Sequence, residues 1–170
     1  ASVLFIAVLT AAAAQISIPL PFTPVPLTLQ PMIVLLGAAA LGSRLGVASQ
    51  VLYLAAGIAG LPVFAASPVL SHGFARLIGP TGGFLLSYPL AAFVTGRLCE
   101  RGFDRRYLTS VVAMAAGLVV IFAGGVSTLT LQLAPTMGSG ALAAALATGC
   151  YPFIAADLIK VLFAATILPG

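Results

Sequence analysis

Asp157 and Lys160 are an acid and a base three residues apart in a run, Tyr151-Pro152-Phe153-Ile154-Ala155-Ala156-Asp157-Leu158-Ile159-Lys160, that is otherwise apolar. Positions i and i+3 share a helix face, so the two side chains reach into the same space. With a helix starting at Pro152, Asp157 stands about one and a half turns inside it. A charge deep in a bilayer costs roughly 2.5–3.5 kcal/mol on insertion scales, so such groups face a cavity, a partner or a ligand. One reading is a structural pair whose members neutralise each other. The other is a pair that receives a polar ligand, and the two are compatible.

Little else in the chain offers reactive chemistry. His72 is the sole histidine and has no second metal ligand near it in sequence. Without a Ser-His arrangement or a metal-spaced cluster, a catalytic constellation has little to be built from, and no enzyme activity is expected. Gly79-Pro80-Thr81-Gly82-Gly83 is a tight turn but not a phosphate loop, because no Gly-Lys-Ser/Thr follows. Its glycines let the backbone approach either a ligand or a neighbouring helix. Cys99 and Cys150 fall near opposite faces on the topology below, so no disulfide is expected. No cofactor or metal is implied.

The elements that must position these residues are membrane helices. Of 170 residues, 61% are hydrophobic and only 6% charged, where a soluble domain is nearer a quarter charged. The apolar stretches are long blocks rather than alternating segments, which argues against a β-barrel. We expect a single all-α integral membrane domain over 1–170, with spans at 2–18, 28–41, 47–59, 84–99, 108–131 and 152–168. A short surface helix is expected at 140–148. The first block lacks a cationic lead and is read as a span rather than a signal peptide. Ala7 and Ala11 form a small-xxx-small pair, suited to close approach of a helix within the bundle or from a partner.

Pro19, Pro21, Pro24 and Pro26 force a stiff, extended loop that serves as a lid or as a connector. The connection 60–83 has no helix of its own by pattern. Being apolar, it should fold back on the bundle. Arg44, Arg97, Arg101, Arg105 and Arg106 fall in loops on one side and Arg76 on the other. The positive-inside rule then places both termini in the cytoplasm. The proline loop, the glycine turn and the start of the last helix all lie on the outer face, so the ligand site is expected there. The excess of basic residues, seven against three acids, is a topology signal and too sparse for a nucleic-acid surface.

Four segments, in this order, carry a family resemblance: Pro24-Val25-Pro26-Leu27-Thr28-Leu29-Gln30, Gly57-Ile58-Ala59-Gly60-Leu61-Pro62-Val63-Phe64, Leu77-Ile78-Gly79-Pro80-Thr81-Gly82-Gly83-Phe84, and Pro152 through Lys160. Together they resemble the substrate-binding subunit of bacterial biotin transporters (BioY family), the S component of an energy-coupling-factor transporter. The resemblance implies a six-helix, multi-pass protein of the bacterial inner membrane that binds biotin from outside. Its implied partners are a transmembrane coupling subunit and two cytoplasmic ATPases. The chain lacks a Walker A lysine motif of its own. Ala7 and Ala11 would meet the coupling subunit, and homo-oligomerisation stays open. Two positions depart from the family pattern. Phe84 stands where an aromatic hydroxyl is frequent, and Ala155-Ala156 where Pro-Gly or Leu-Gly is frequent.

Biotin has a ureido ring with two N–H donors and a carbonyl, an apolar thioether ring and a carboxylate tail. Asp157 can accept the ureido N–H bonds, and a charge-assisted bond is roughly twice as strong as a neutral one. Lys160 can donate to the carbonyl or pair with the tail. Arg76 is a second candidate for the carboxylate, with a solvated loop arginine as the alternative. Thr81, Gly82 and Gly83 line the expected turn, and Phe22, Phe84 and Tyr151 are candidate walls or packing residues. The rivals are a carrier or channel for another vitamin, an intramembrane enzyme and a structural interaction subunit. A ligand-binding screen, detectable turnover and the lack of saturable binding, respectively, would favour each.

Overall fold

The computed structural model describes residues 1–67 and 72–168, and they are mostly helical. Helix α1 is Ser2–Gln15. It stops three residues short of the expected 18, because residues 17 and 18 are claimed by a different pairing. Strand β1, Ser17–Ile18, runs antiparallel to β2, Leu27–Thr28, with Ser17 opposite Thr28 and Ile18 opposite Leu27. Pro19 disfavours a helical Ile18, and the two-residue ladder satisfies backbone groups that the helix would have used. The proline loop is thereby closed at its base.

Helix α2, Gln30–Ile58, folds back on itself at Gly42, where φ is 83° and ψ 175°. A straight helix of that length would hold Gln30 and Tyr53 roughly 35 Å apart. Instead their side chains hydrogen-bond at 2.5 Å, so residues 30–41 and 43–58 are antiparallel arms. The left-handed turn suits glycine, and a Cβ at position 42 would stand 2.9 Å from a Glu100 carboxylate oxygen. That oxygen accepts from both the Ser43 amide and hydroxyl at 2.7 Å, capping the second arm.

The connection from 59 to 81 contains a short helix that the sequence pattern did not suggest, α3, Ala75–Ile78. As expected of an apolar connection, it lies against the bundle: Gln15 Nε2 donates to the carbonyls of Pro62 and Phe64. Pro68, part of the Ser67-Pro68 step in this connection, lies outside the described residues.

Helices α4, Gly82–Glu100, and α5, Tyr107–Met137, form a second antiparallel pair. The turn between them uses Gly102 at φ 93° and a single 3-10 turn, Phe103–Arg105. The pair is close because small residues line it. A Cβ on Gly83 would collide with the Gly124 carbonyl and Thr128, and one on Gly117 would collide with Thr95. Thr95 Oγ1 donates across the pair to the Ala113 carbonyl at 3.2 Å. Helix α5 continues past the expected end at 131 and through Pro135. That proline forfeits one amide donor, two residues before the helix ends, so the loss is small.

Helix α6, Ala141–Gly149, packs along α5 through buried Ala141, Ala145 and Gly149. Helix α7, Tyr151–Ala165, has Pro152 in its first turn. Two stretches, Gln30–Ile58 and Tyr107–Ala165, are long and apolar enough to cross a membrane, with mean hydropathy 1.7 and 2.1. Large apolar side chains such as Phe93, Val119, Leu131, Ile159 and Phe163 face outward, while Thr10, Ser49, Gln50, Thr95 and Ser110 are buried.

The tertiary hydrogen bonds sort the connections into two ends. The Ser43–Glu100 bonds and the Tyr107 hydroxyl on the Leu162 carbonyl gather residues 42–44, 97–107 and 162 at one end. Thr23 on the Thr148 carbonyl and Gln132 on the Ile78 carbonyl gather the proline loop, α3 and the α6–α7 junction at the other.

Candidate ligand-binding site

The acid and base of α7 form an ion pair, Lys160 Nζ to Asp157 Oδ1 at 2.7 Å. Asp157 is only 5% exposed. Taking two charges out of water is costly unless further hydrogen bonds satisfy them. Lys160 obtains one from the Thr28 carbonyl at 2.6 Å. The strand β2 that carries Thr28 is thus tied to α7, and Asp157 keeps acceptor capacity for another donor.

Asp157 lines an open-mouthed cavity. Residues 25–28, Gln30 and Pro31 form one wall. Thr81 and, from the start of α4, Phe84, Leu85 and Tyr88 form another, and Ile121, Phe122 and Phe153 add further apolar surface. Asp157 and Arg76 are the two charged residues of this lining, and they come from separate elements, α7 and α3.

Arg76 is not the solvated loop arginine of the alternative reading, since it is 3% exposed. Its Nε donates to Thr81 Oγ1 and its Nη2 to the Ala65 carbonyl, both at 3.0 Å. Burial draws its pKa below the ordinary arginine value, opposed by Tyr53 and Tyr88. A guanidinium nonetheless stays charged in a protein. Its planar fork is suited to a carboxylate.

The remaining residues singled out from the sequence fall in different places. Thr81 and Phe84 line the cavity with Asp157 and Arg76, whereas Lys160 stands behind Asp157. Gly82 and Gly83 serve close packing. A Cβ at 82 would strike the Leu77 carbonyl, and one at 83 the backbone of α5. Tyr151 is 61% exposed and Phe22 59% exposed, and neither lines the cavity. Ala7 is buried against the protein's own core and Ala11 packs on it. His72 is exposed, and among the described residues no three His, Cys, Asp or Glu side chains are grouped to hold a metal.

Sequence reasoning passed over Gln30, Tyr53 and Tyr88 as site residues. Gln30 Nε2 donates to the Tyr53 hydroxyl, which donates onward to the Val63 carbonyl at 3.1 Å. Tyr88 is buried and lines the cavity. A polar or hydroxylated side chain inside an apolar helix was the available signal for all three. The arrangement as a whole offers a carboxylate acceptor, a cationic fork and aromatic walls. It can accept from N–H donors and pair with an anionic group.

The BioY family model matches residues 1–170. The chain is 41% identical over 157 residues to the probable biotin transporter BioY of Pyrococcus horikoshii, covering 92% of this chain and 85% of that one. It is 39% identical over 154 residues to the biotin transporter BioY of Thermotoga maritima, covering 91% and 83%. Among solved structures, the S-component for biotin from an ECF-type ABC transporter superposes with a TM-score of 0.84. That match covers 98% of this chain and 86% of the other at 24% identity, a likeness of fold.

Proposed function

The chain belongs to the BioY family, and from that premise we propose that it captures biotin at the outer face of a cell membrane and delivers it inward. The observation that carries this reading is the single cavity served by the Asp157–Lys160 pair and by buried Arg76. Asp157 accepts the ureido N–H bonds, and Lys160, its ion-pair partner behind it, holds the carboxylate in orientation. Arg76 takes the carboxylate, and Phe84, Phe122 and Phe153 cover the apolar rings. Each of these contacts is made in an apolar surrounding, where electrostatic attraction is less screened than in water.

The chain crosses the membrane six times in this reading: α1, the two arms of α2, α4, α5 and α7. Both termini are cytoplasmic. Arg44, Arg97, Arg101, Arg105 and Arg106 gather at the end opposite the cavity's loops, as the positive-inside rule asks of a cytoplasmic face. Energy comes from partners, a coupling subunit and ATPases of the kind found with S components. The outward apolar faces of the helices are available to lipid and to that coupling subunit.

The test is biotin binding by calorimetry on the purified protein in detergent, with an unrelated vitamin as control. Saturable binding near one ligand per chain, lost in Asp157→Asn, is the expected result. A well-folded sample that ignores biotin and takes another vitamin would overturn the assignment.

A further inference from the structure

We infer that Tyr53 and Gln30 are positioning residues, which hold the cationic end of the cavity in register with its acid–base end without either end touching the other. The inference rests on the biotin reading for the choice of probe. A chain of hydrogen bonds starts at Asp157 and Lys160 and passes from Lys160 to the Thr28 carbonyl. The Thr28 hydroxyl then meets Gln30 twice, donating to its Oε1 at 3.4 Å and accepting from its backbone N–H at 3.3 Å. Gln30 Nε2 donates to the Tyr53 hydroxyl, and Tyr53 donates to the Val63 carbonyl. Two residues further on, the Ala65 carbonyl holds Arg76.

The path therefore runs from α7 through β2 and across both arms of the α2 hairpin. It ends on the segment that fixes the guanidinium. Tyr53 itself does not line the cavity. Its hydroxyl is the only side-chain group in this path between the α2 arms and the 63–65 segment. Its ring packs edge-on to Phe64 at 5.6 Å and tilted to Tyr88 at 6.5 Å, contacts that a phenylalanine would keep. Gly57 leaves the notch that Phe64 fills, since a Cβ there would overlap the ring. Tyr53→Phe thus cuts the path at one point. Gln30–Thr28–Lys160 stays intact on one side, and Val63 is freed on the other.

The deletion should act on the carboxylate end of the ligand alone. Biotin and its uncharged primary amide are titrated calorimetrically into the wild-type protein and Tyr53→Phe. Biotin affinity should fall by at least about fivefold, as expected of a coupled site, and that of the amide by less than about twofold. Equal loss for both ligands, or no loss for biotin, overturns the inference, because general loosening of the fold would not distinguish them. Amide hydrogen exchange on the unliganded proteins gives a second reading. Peptides covering 61–67 should exchange faster in Tyr53→Phe and in Gln30→Leu than in wild type, and unchanged exchange also overturns the inference. If wild-type protein binds neither ligand, the biotin reading fails and the exchange result alone decides the role of Tyr53.

Discussion

Lys160 and Thr28 are 132 residues apart in sequence, and the lysine ammonium donates to the threonine carbonyl at 2.6 Å. This bond makes the charged pair of α7 part of the wall that faces it. A backbone carbonyl cannot be removed by substitution, so the relationship is tested through the side chains around it.

Lys160→Ala strips the Asp157 carboxylate of its partner in a buried setting. Breaking such a pair costs about 3–5 kcal/mol, whereas removing both charges costs far less. The double variant Asp157→Asn/Lys160→Ala should therefore melt higher than Lys160→Ala alone. Both single variants should bind biotin at least tenfold more weakly, about 1.4 kcal/mol. Normal binding by well-folded single variants would move the site away from α7.

Gly83→Ala places a methyl group against the Gly124 carbonyl and Thr128. Neither the carbonyl nor the helix that carries it can yield without separating α4 from α5. A loss of about 1–3 kcal/mol is expected for such overpacking, read as a lower unfolding midpoint in detergent. An unchanged midpoint would mean that the two helices are not held this closely.

Glu100→Gln weakens the cap that Glu100 gives the second arm of α2 through Ser43, and removes its pair with Arg97. The thermal midpoint should drop by a few degrees. Biotin affinity should stay within about twofold, because the cap lies at the end of the molecule remote from the cavity. A large change in affinity with a constant midpoint would contradict this separation.

Thr23→Val removes the 2.6 Å bond from the proline loop to the Thr148 carbonyl. The loop that carries Val25 and Pro26 of the cavity wall then loses its tie to the α6–α7 junction. Release of radiolabelled biotin should accelerate several-fold with little change in the unfolding midpoint. Release at the wild-type rate would show that the tie does not retain the ligand.

The acid–base pair was legible in the sequence because charge in an apolar helix has few innocent uses. Arg76 was legible as a loop cation set apart from the other arginines. Its burial was not, since burial depends on Thr81 and Ala65 being folded over it. Gln30 and Tyr53 could not be paired from the sequence, because both arms of α2 are apolar around their circumference and show no preferred face. The end of α1 was misplaced for a related reason: hydropathy continues through Ile16 and Ile18, while strand pairing with residues 27 and 28 decides the backbone. Tyr151 and Phe22 had the chemistry of ligand walls, yet the fold turns both outward.

The clasp between β1 and β2 closes the proline loop into a small ring, with Thr23 as a third anchor and Phe22 at the exposed tip. A ring fixed in this way carries its tip as one piece, so a dye attached at the tip travels with the wall of the cavity. Phe22→Cys, with Cys150 changed to serine and buried Cys99 left in place, offers an exposed attachment point outside the cavity lining. Its fluorescence would report whether the wall moves when biotin binds.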